Sequence, residues 1–88
     1  MQTYLVEHYR PGLDAEALQK AAAVIRTAAG TLGPSGSGVR YLRSTIVPTQ
    51  EAFLSVFEAP SETAVRDAYT RAGLAFEQIS VVLEDELS

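Results

Sequence analysis

The sequence lacks cysteine altogether. Without thiols the chain has no disulfide framework, no thiolate metal site and no cysteine nucleophile. It also lacks an apolar run near the roughly 20 residues that a membrane-spanning helix needs. Its first four residues carry neither the basic region nor the apolar run of a secretory signal. These absences predict a cytoplasmic protein without a membrane partner.

Positive charge is scarce as well. The chain has seven lysines and arginines and eleven aspartates and glutamates, which gives a formal net charge of −4. Phosphate backbones are bound by clustered cationic surface, and here the arginines are scattered among acids. The composition therefore predicts no nucleic-acid partner.

The length of 88 residues allows one domain, spanning 1–88. A chain this short hides only about 60–65% of its unfolded surface on folding. Yet 47% of its residues are apolar and only 20% are charged. We interpret this apolar surplus as surface that is buried against another subunit.

Hydrophobic periodicity and turn residues predict six elements in the order β-α-β-β-α-β. Period-two apolar and β-branched runs indicate strands, and three- and four-residue apolar steps indicate helices. The predicted strands are Thr3–Tyr9, Val39–Val47, Ala52–Glu58 and Phe76–Leu83. The first predicted helix is capped by Asp14 and ended by Gly30 or Gly33, and the second is capped by Ser61 and ended by Gly73. Residues 33–38 are expected to form a flexible loop, and residues 84–88 an acidic, solubilising tail.

Two right-handed βαβ crossovers joined by a hairpin predict an α+β fold of the split βαβ, ferredoxin-like type. In it, a four-stranded antiparallel sheet carries both helices on one face. Both alternating sets of strand residues contain large apolar groups, as Val6 and Leu5 show on the first strand. A face open to water would instead be polar. The sequence therefore predicts a homodimer of the α/β-barrel type, with a mostly apolar cavity between two sheets.

The polar residues of the strands leave two functions open, and a ligand-sensing or assembly module without chemistry is the interpretation if neither holds. His8 is the only histidine, and with Glu7 and Glu58 it forms a candidate ligand set for a divalent transition metal. The alternative is an enzyme, such as a cyclase, isomerase or cofactor-free oxygenase, acting on a small apolar ligand in the dimer cavity. Its candidate catalytic residues are Glu7 and Glu58, paired if they share a face so that one pKa is raised, with Tyr41 and Arg43. No motif predicts a bound organic cofactor.

Four segments carry a resemblance to a known family. They are Tyr4–Glu7, Val39–Ser44, Phe57–Pro60 and Arg71–Phe76. They resemble an actinobacterial-type family of small ferredoxin-like proteins, catalogued as a domain of unknown function, which includes a nickel-binding protein.

The resemblance spans nearly the whole chain and implies a homodimer. It also implies binding of nickel or a similar divalent ion at the dimer surface, for sequestration rather than catalysis. The matching polar positions are Glu7, Arg43, Ser44 and Glu58. The chain departs from the family pattern at His8, where arginine is frequent, and at Ser55, where cysteine is common.

Overall fold

The computed structural model describes residues 2–32 and 38–83. The elements run β1 Gln2–Tyr9, α1 Ala15–Leu32, β2 Arg40–Val47, β3 Ala52–Ala59, α2 Glu62–Ala72 and β4 Gln78–Val82. One four-stranded antiparallel sheet has the order β2-β3-β1-β4. The predicted α+β, ferredoxin-like fold is confirmed. The predicted acidic tail and most of the predicted loop, residues 33–37, lie outside the described residues.

The two helices begin at the caps that the sequence predicts. The Asp14 carboxylate accepts a hydrogen bond from the Ala17 amide at 2.9 Å, and the Ser61 hydroxyl accepts one from the Ala64 amide at 3.2 Å. Each cap satisfies an amide that the first helical turn leaves without a partner. α2 ends at Gly73, whose backbone is left-handed with φ of 68°. These residues thus fix the first turn of both helices and the last turn of α2, where the chain turns towards the sheet.

The core lies between the helices and one face of the sheet. Alternate residues of β1 and β3 point into it, including Val6, Phe53 and Phe57, all almost fully buried. Leu18 of α1 and Val65 of α2 close the core from the other side. This packing assigns Val6 and Phe53 to the helix-covered set of strand residues.

We call the other side of the sheet the open face. Strand alternation and register assign it these residues: Thr3, Leu5, Glu7 and Tyr9; Arg40, Arg43, Thr45 and Val47; Ala52, Leu54, Val56 and Glu58; Gln78, Ser80 and Val82. Its centre is apolar, since Leu5 lies directly opposite Val56 and Leu54 is the next residue along β3 on the same face. No element of the described chain covers this face.

A polar junction ties the end of β1 to two other segments. Glu51, which follows the short 3-10 turn Pro48–Gln50, accepts the Arg10 amide on its carbonyl at 2.7 Å and the Gly12 amide on its carboxylate at 2.6 Å. On the other side, the Glu77 carboxylate accepts the Tyr9 amide at 2.9 Å. β4 starts at Gln78 rather than at the predicted Phe76.

Candidate functional site

His8 sits in the core, on the helix-covered face of β1. It is 1% exposed and stacks on the ring of its cross-strand partner Phe53, with ring centroids 4.2 Å apart and planes within 8°. Its Nδ1 lies 3.3 Å from the Phe53 carbonyl oxygen, and its Nε2 lies 2.7 Å from the Tyr69 hydroxyl oxygen. β3 and α2 thus hold the imidazole from two sides.

These partners fix the protonation of the ring. A carbonyl can only accept, so Nδ1 carries the proton and donates it to Phe53. Nε2 is then the acceptor, and the Tyr69 hydroxyl donates to it. Burial lowers the pKa of His8 from 6.5 to about 4, partly opposed by the hydrogen bond to Phe53. Burial also raises the pKa of Tyr69, which keeps its hydroxyl protonated as a donor.

His8 is consequently a neutral, fully satisfied core histidine. A metal ion is bound by an unprotonated ring nitrogen with a free lone pair. Here Nδ1 is protonated and the Nε2 lone pair is taken up by Tyr69. As the chain is folded, coordination by His8 would require the loss of the Tyr69 hydrogen bond or a change of tautomer.

The structure does not bring the three predicted metal ligands together. His8 faces the helices, whereas Glu7 and Glu58 lie on the open face. Glu7 is opposite Leu54 and Glu58 is opposite Thr3, so the two carboxylates are separated by four residues of strand. At about 3.4 Å per residue this is about 14 Å. Among residues 2–32 and 38–83, no three His, Cys, Asp or Glu side chains are grouped closely enough to hold a metal ion.

The same separation affects the predicted catalytic set. Glu7, Arg43 and Glu58 share the open face, but Glu7 and Glu58 are too far apart to share a proton. Glu58 forms an ion pair with Arg40 at 3.5 Å, at the exposed end of the strands. Tyr41 faces the helices, where it is opposite Phe57 and its hydroxyl lies 2.7 Å from the Ser44 hydroxyl. The structure therefore splits the four residues between two faces, and their catalytic roles stay a prediction.

A concavity of about 390 Å³ lies beside Glu7, at one end of the open face. Its other polar lining includes Gln50, Gln78 and Glu77, and its apolar lining includes Leu54. Glu77 is already committed, since its carboxylate binds Arg10 at 3.3 Å in addition to the Tyr9 amide. Glu7 is thus the carboxylate that this concavity offers to a ligand.

Tyr69 and Glu77 are not among the predicted site residues. Tyr69 belongs to the apolar stripe of α2, which predicts that it is buried. A buried tyrosine usually has a hydrogen-bond partner, so the sequence does indicate that its hydroxyl pairs with another buried polar group. Glu77 has no such signal, because its hydrogen bond to the Tyr9 amide depends on where the segment before β4 passes the end of β1.

Three comparisons with known proteins place the chain. A search of curated proteins gave no match. Among solved structures, the crystal structure of SCO4226 from Streptomyces coelicolor A3(2) has the same fold, with a TM-score of 0.70, 19% sequence identity, and coverage of 96% of this chain and 99% of that one. Residues 4–82 match the family described as nickel responsive protein SCO4226-like. The chain therefore belongs to the SCO4226-like family.

Proposed function

We propose that this chain is a nickel-responsive protein that works as a homodimer. The observation that carries the nickel part is the match of residues 4–82 to a family described as nickel responsive. The homodimer part has separate support in the architecture of the sheet. The two parts therefore have separate tests.

The open face has the composition of a subunit interface. Leu5, Leu54 and Val56 form an apolar centre, and charged residues such as Glu7 and Arg43 surround it. Protein interfaces commonly have an apolar core inside a polar rim. The open face of a second copy of the chain could bury this apolar centre, and no other protein would be needed.

The nickel ion in this proposal is bound on the surface and not in the core. Carboxylate oxygen is a competent ligand for divalent ions of this class, although imidazole is the preferred one. Glu7 and Glu58 are the predicted ligands that remain on accessible surface, about 14 Å apart along the strands. Each offers one carboxylate, so binding is expected to be weak and to require water or the second subunit to complete the coordination.

Nickel titration of the native protein tests this proposal. Amide NMR spectra recorded with rising nickel chloride should show paramagnetic broadening around Glu7 and Glu58, and calorimetry should give a matching affinity. Glu7→Gln and Glu58→Gln should each remove the broadening at their own site. His8→Phe, which preserves the aromatic stack on Phe53, should leave both the broadening and the affinity unchanged.

Three results would contradict the proposal. They are an unchanged spectrum at millimolar nickel, broadening confined to the acidic residues 84–86, and loss of nickel binding in a folded His8→Phe protein. Magnesium chloride at the same concentration is the control for general ionic effects.

A further inference from the structure

A groove of about 470 Å³ runs between α1 and the edge strand β2, away from the open face. Gln19 and Arg26 of α1 line it on one side, and Tyr41 and Ser44 of β2 line it on the other, with Arg43 of the same strand also at its border. Between Gln19 and Arg26, α1 presents only small side chains to it, Ala22 and Ala23. The small side chains leave the groove wide, and most of its exposed lining is polar. The groove contains arginine although the chain has a formal net charge of −4.

Three hydroxyl groups form a chain that leads from the core to this groove. The Ser55 hydroxyl oxygen lies 2.7 Å from that of Ser44, and the Ser44 oxygen lies 2.7 Å from that of Tyr41. Ser55 is completely buried, whereas Tyr41 and Ser44 are half-buried. A hydrogen-bonded path thus connects a fully buried hydroxyl to one at the wall of the groove.

A β-bulge in β2 makes this chain possible. In regular pairing, Tyr41 and a residue three positions later point to opposite faces. The register shifts between Tyr41 and Arg43, so Tyr41 is opposite Phe57 and Ser44 is opposite Ser55. The bulge re-aims the strand and puts both hydroxyls on the helix-covered face.

Burial decides the direction in which the Ser55 hydroxyl donates. In the described part of the chain, the Ser44 oxygen is the one hydrogen-bond partner of the Ser55 hydroxyl. Leaving a buried donor unpaired is costly, so Ser55 donates to Ser44. Between Ser44 and Tyr41 either hydroxyl can donate, because the Ser44 oxygen can accept two hydrogen bonds. When Ser44 donates to the phenol oxygen, the Tyr41 O–H is free to donate to a group in the groove.

We propose that this groove binds a small molecule through an anionic carboxylate or phosphate group. The Tyr41 O–H donates a hydrogen bond to the anion, and Arg26 supplies a positive charge that no ion pair or hydrogen bond of residues 2–32 and 38–83 neutralises. A guanidinium group suits both anions, because its planar fork matches their oxygen pairs. This proposal uses neither the open face nor nickel.

The test is an amide NMR titration with two probes, sodium phosphate and sodium benzoate, in metal-free buffer at constant ionic strength. Binding predicts saturable shifts of the amides of residues 19–26 and 41–44, and the stronger probe identifies the anion class. Tyr41→Phe and Arg26→Gln should each weaken binding about tenfold, the effect of losing a hydrogen bond to a charged group. Arg71→Gln is the matched control, because it removes an exposed arginine from α2 and should leave the affinity unchanged.

The proposal is overturned if neither probe gives saturable shifts in these two segments. It is also overturned if the folded Arg26→Gln protein binds as tightly as the native one, or if Arg71→Gln weakens binding equally. Because Arg26 is exposed at the surface of α1, its replacement tests binding without disturbing the core.

Discussion

The His8 side chain shows how a polar group is accommodated in a small core. Removing an imidazole from water disfavours its charged form, and its two nitrogens would be costly if left unpaired. Here the Phe53 carbonyl accepts from one nitrogen and the Tyr69 hydroxyl donates to the other. The ring is therefore neutral, oriented by two elements, and stacked on Phe53.

The stability of the fold should fall as the pH drops from about 6.5 to about 4. The folded pKa of His8, about 4, is below its unfolded value of 6.5. Its contribution is thus complete above pH 6.5 and is lost progressively as the pH falls towards 4. The difference amounts to about 3 kcal/mol in the free energy of unfolding. Urea unfolding between pH 7 and 4 measures it, and His8→Phe should show a correspondingly flatter pH dependence.

NMR can follow His8 directly, because the chain has one histidine. Its ring signals should titrate near pH 4 in the native protein. Tyr69→Phe removes a donor that favours the neutral ring, so the His8 pKa should rise while burial keeps it below 6.5, whereas Tyr9→Phe, at an exposed tyrosine, should not change it. A native His8 that titrates near 6.5 would refute this account of the core.

Strand pattern alone does not decide the side on which His8 lies. Both alternating sets of β1 residues are apolar, so the sequence shows that one set is covered by helices without showing which. The predicted metal site depended on that choice and on the register. Once the register puts Glu7 opposite Leu54 and Glu58 opposite Thr3, the three predicted ligands separate.

At the scale of elements, local signals located most boundaries. Asp14, Ser61 and Gly73 cap the helices as predicted, since capping depends on a few neighbouring residues. α1 runs through Gly30 to Leu32, so Gly30 lies inside the helix and does not stop it. The bulge in β2 had no sequence signal, because it depends on the pairing of β2 with β3.

Alanine substitutions at two glycines should have opposite effects on stability. At Gly73 the left-handed backbone, φ of 68°, strains an alanine, so Gly73→Ala should destabilise the fold by about 1 kcal/mol. At Gly30 the backbone is helical, so Gly30→Ala should stabilise it by about 0.5 kcal/mol. An added Cβ meets no atom within 4 Å at either position, so steric clash does not contribute. Urea unfolding of both variants measures the difference, and equal signs would contradict the assigned conformations.

At the scale of the whole molecule, the two sides of the sheet differ in what covers them. The helices bury one side, and the open face keeps Leu5, Leu54 and Val56 at its centre. No helix of the described residues is long and apolar enough to cross a membrane. Part of the apolar surplus of the composition thus lies on the open face, and part is exposed elsewhere, as at Val24 and Leu83.

A dimer formed through the open face should dissociate when a charge is placed at its centre. Sedimentation at tens of micromolar should give twice the 9.5 kDa chain mass for the native protein and the chain mass for Leu54→Lys. An unpaired ammonium buried between two sheets costs several kcal/mol, whereas in a single chain it stays in water. Val24→Lys is the control, because Val24 is 52% exposed on α1, away from the open face, and its replacement should leave the dimer intact. A native monomer, or a Leu54→Lys dimer, would mean that the open face is not where two copies meet.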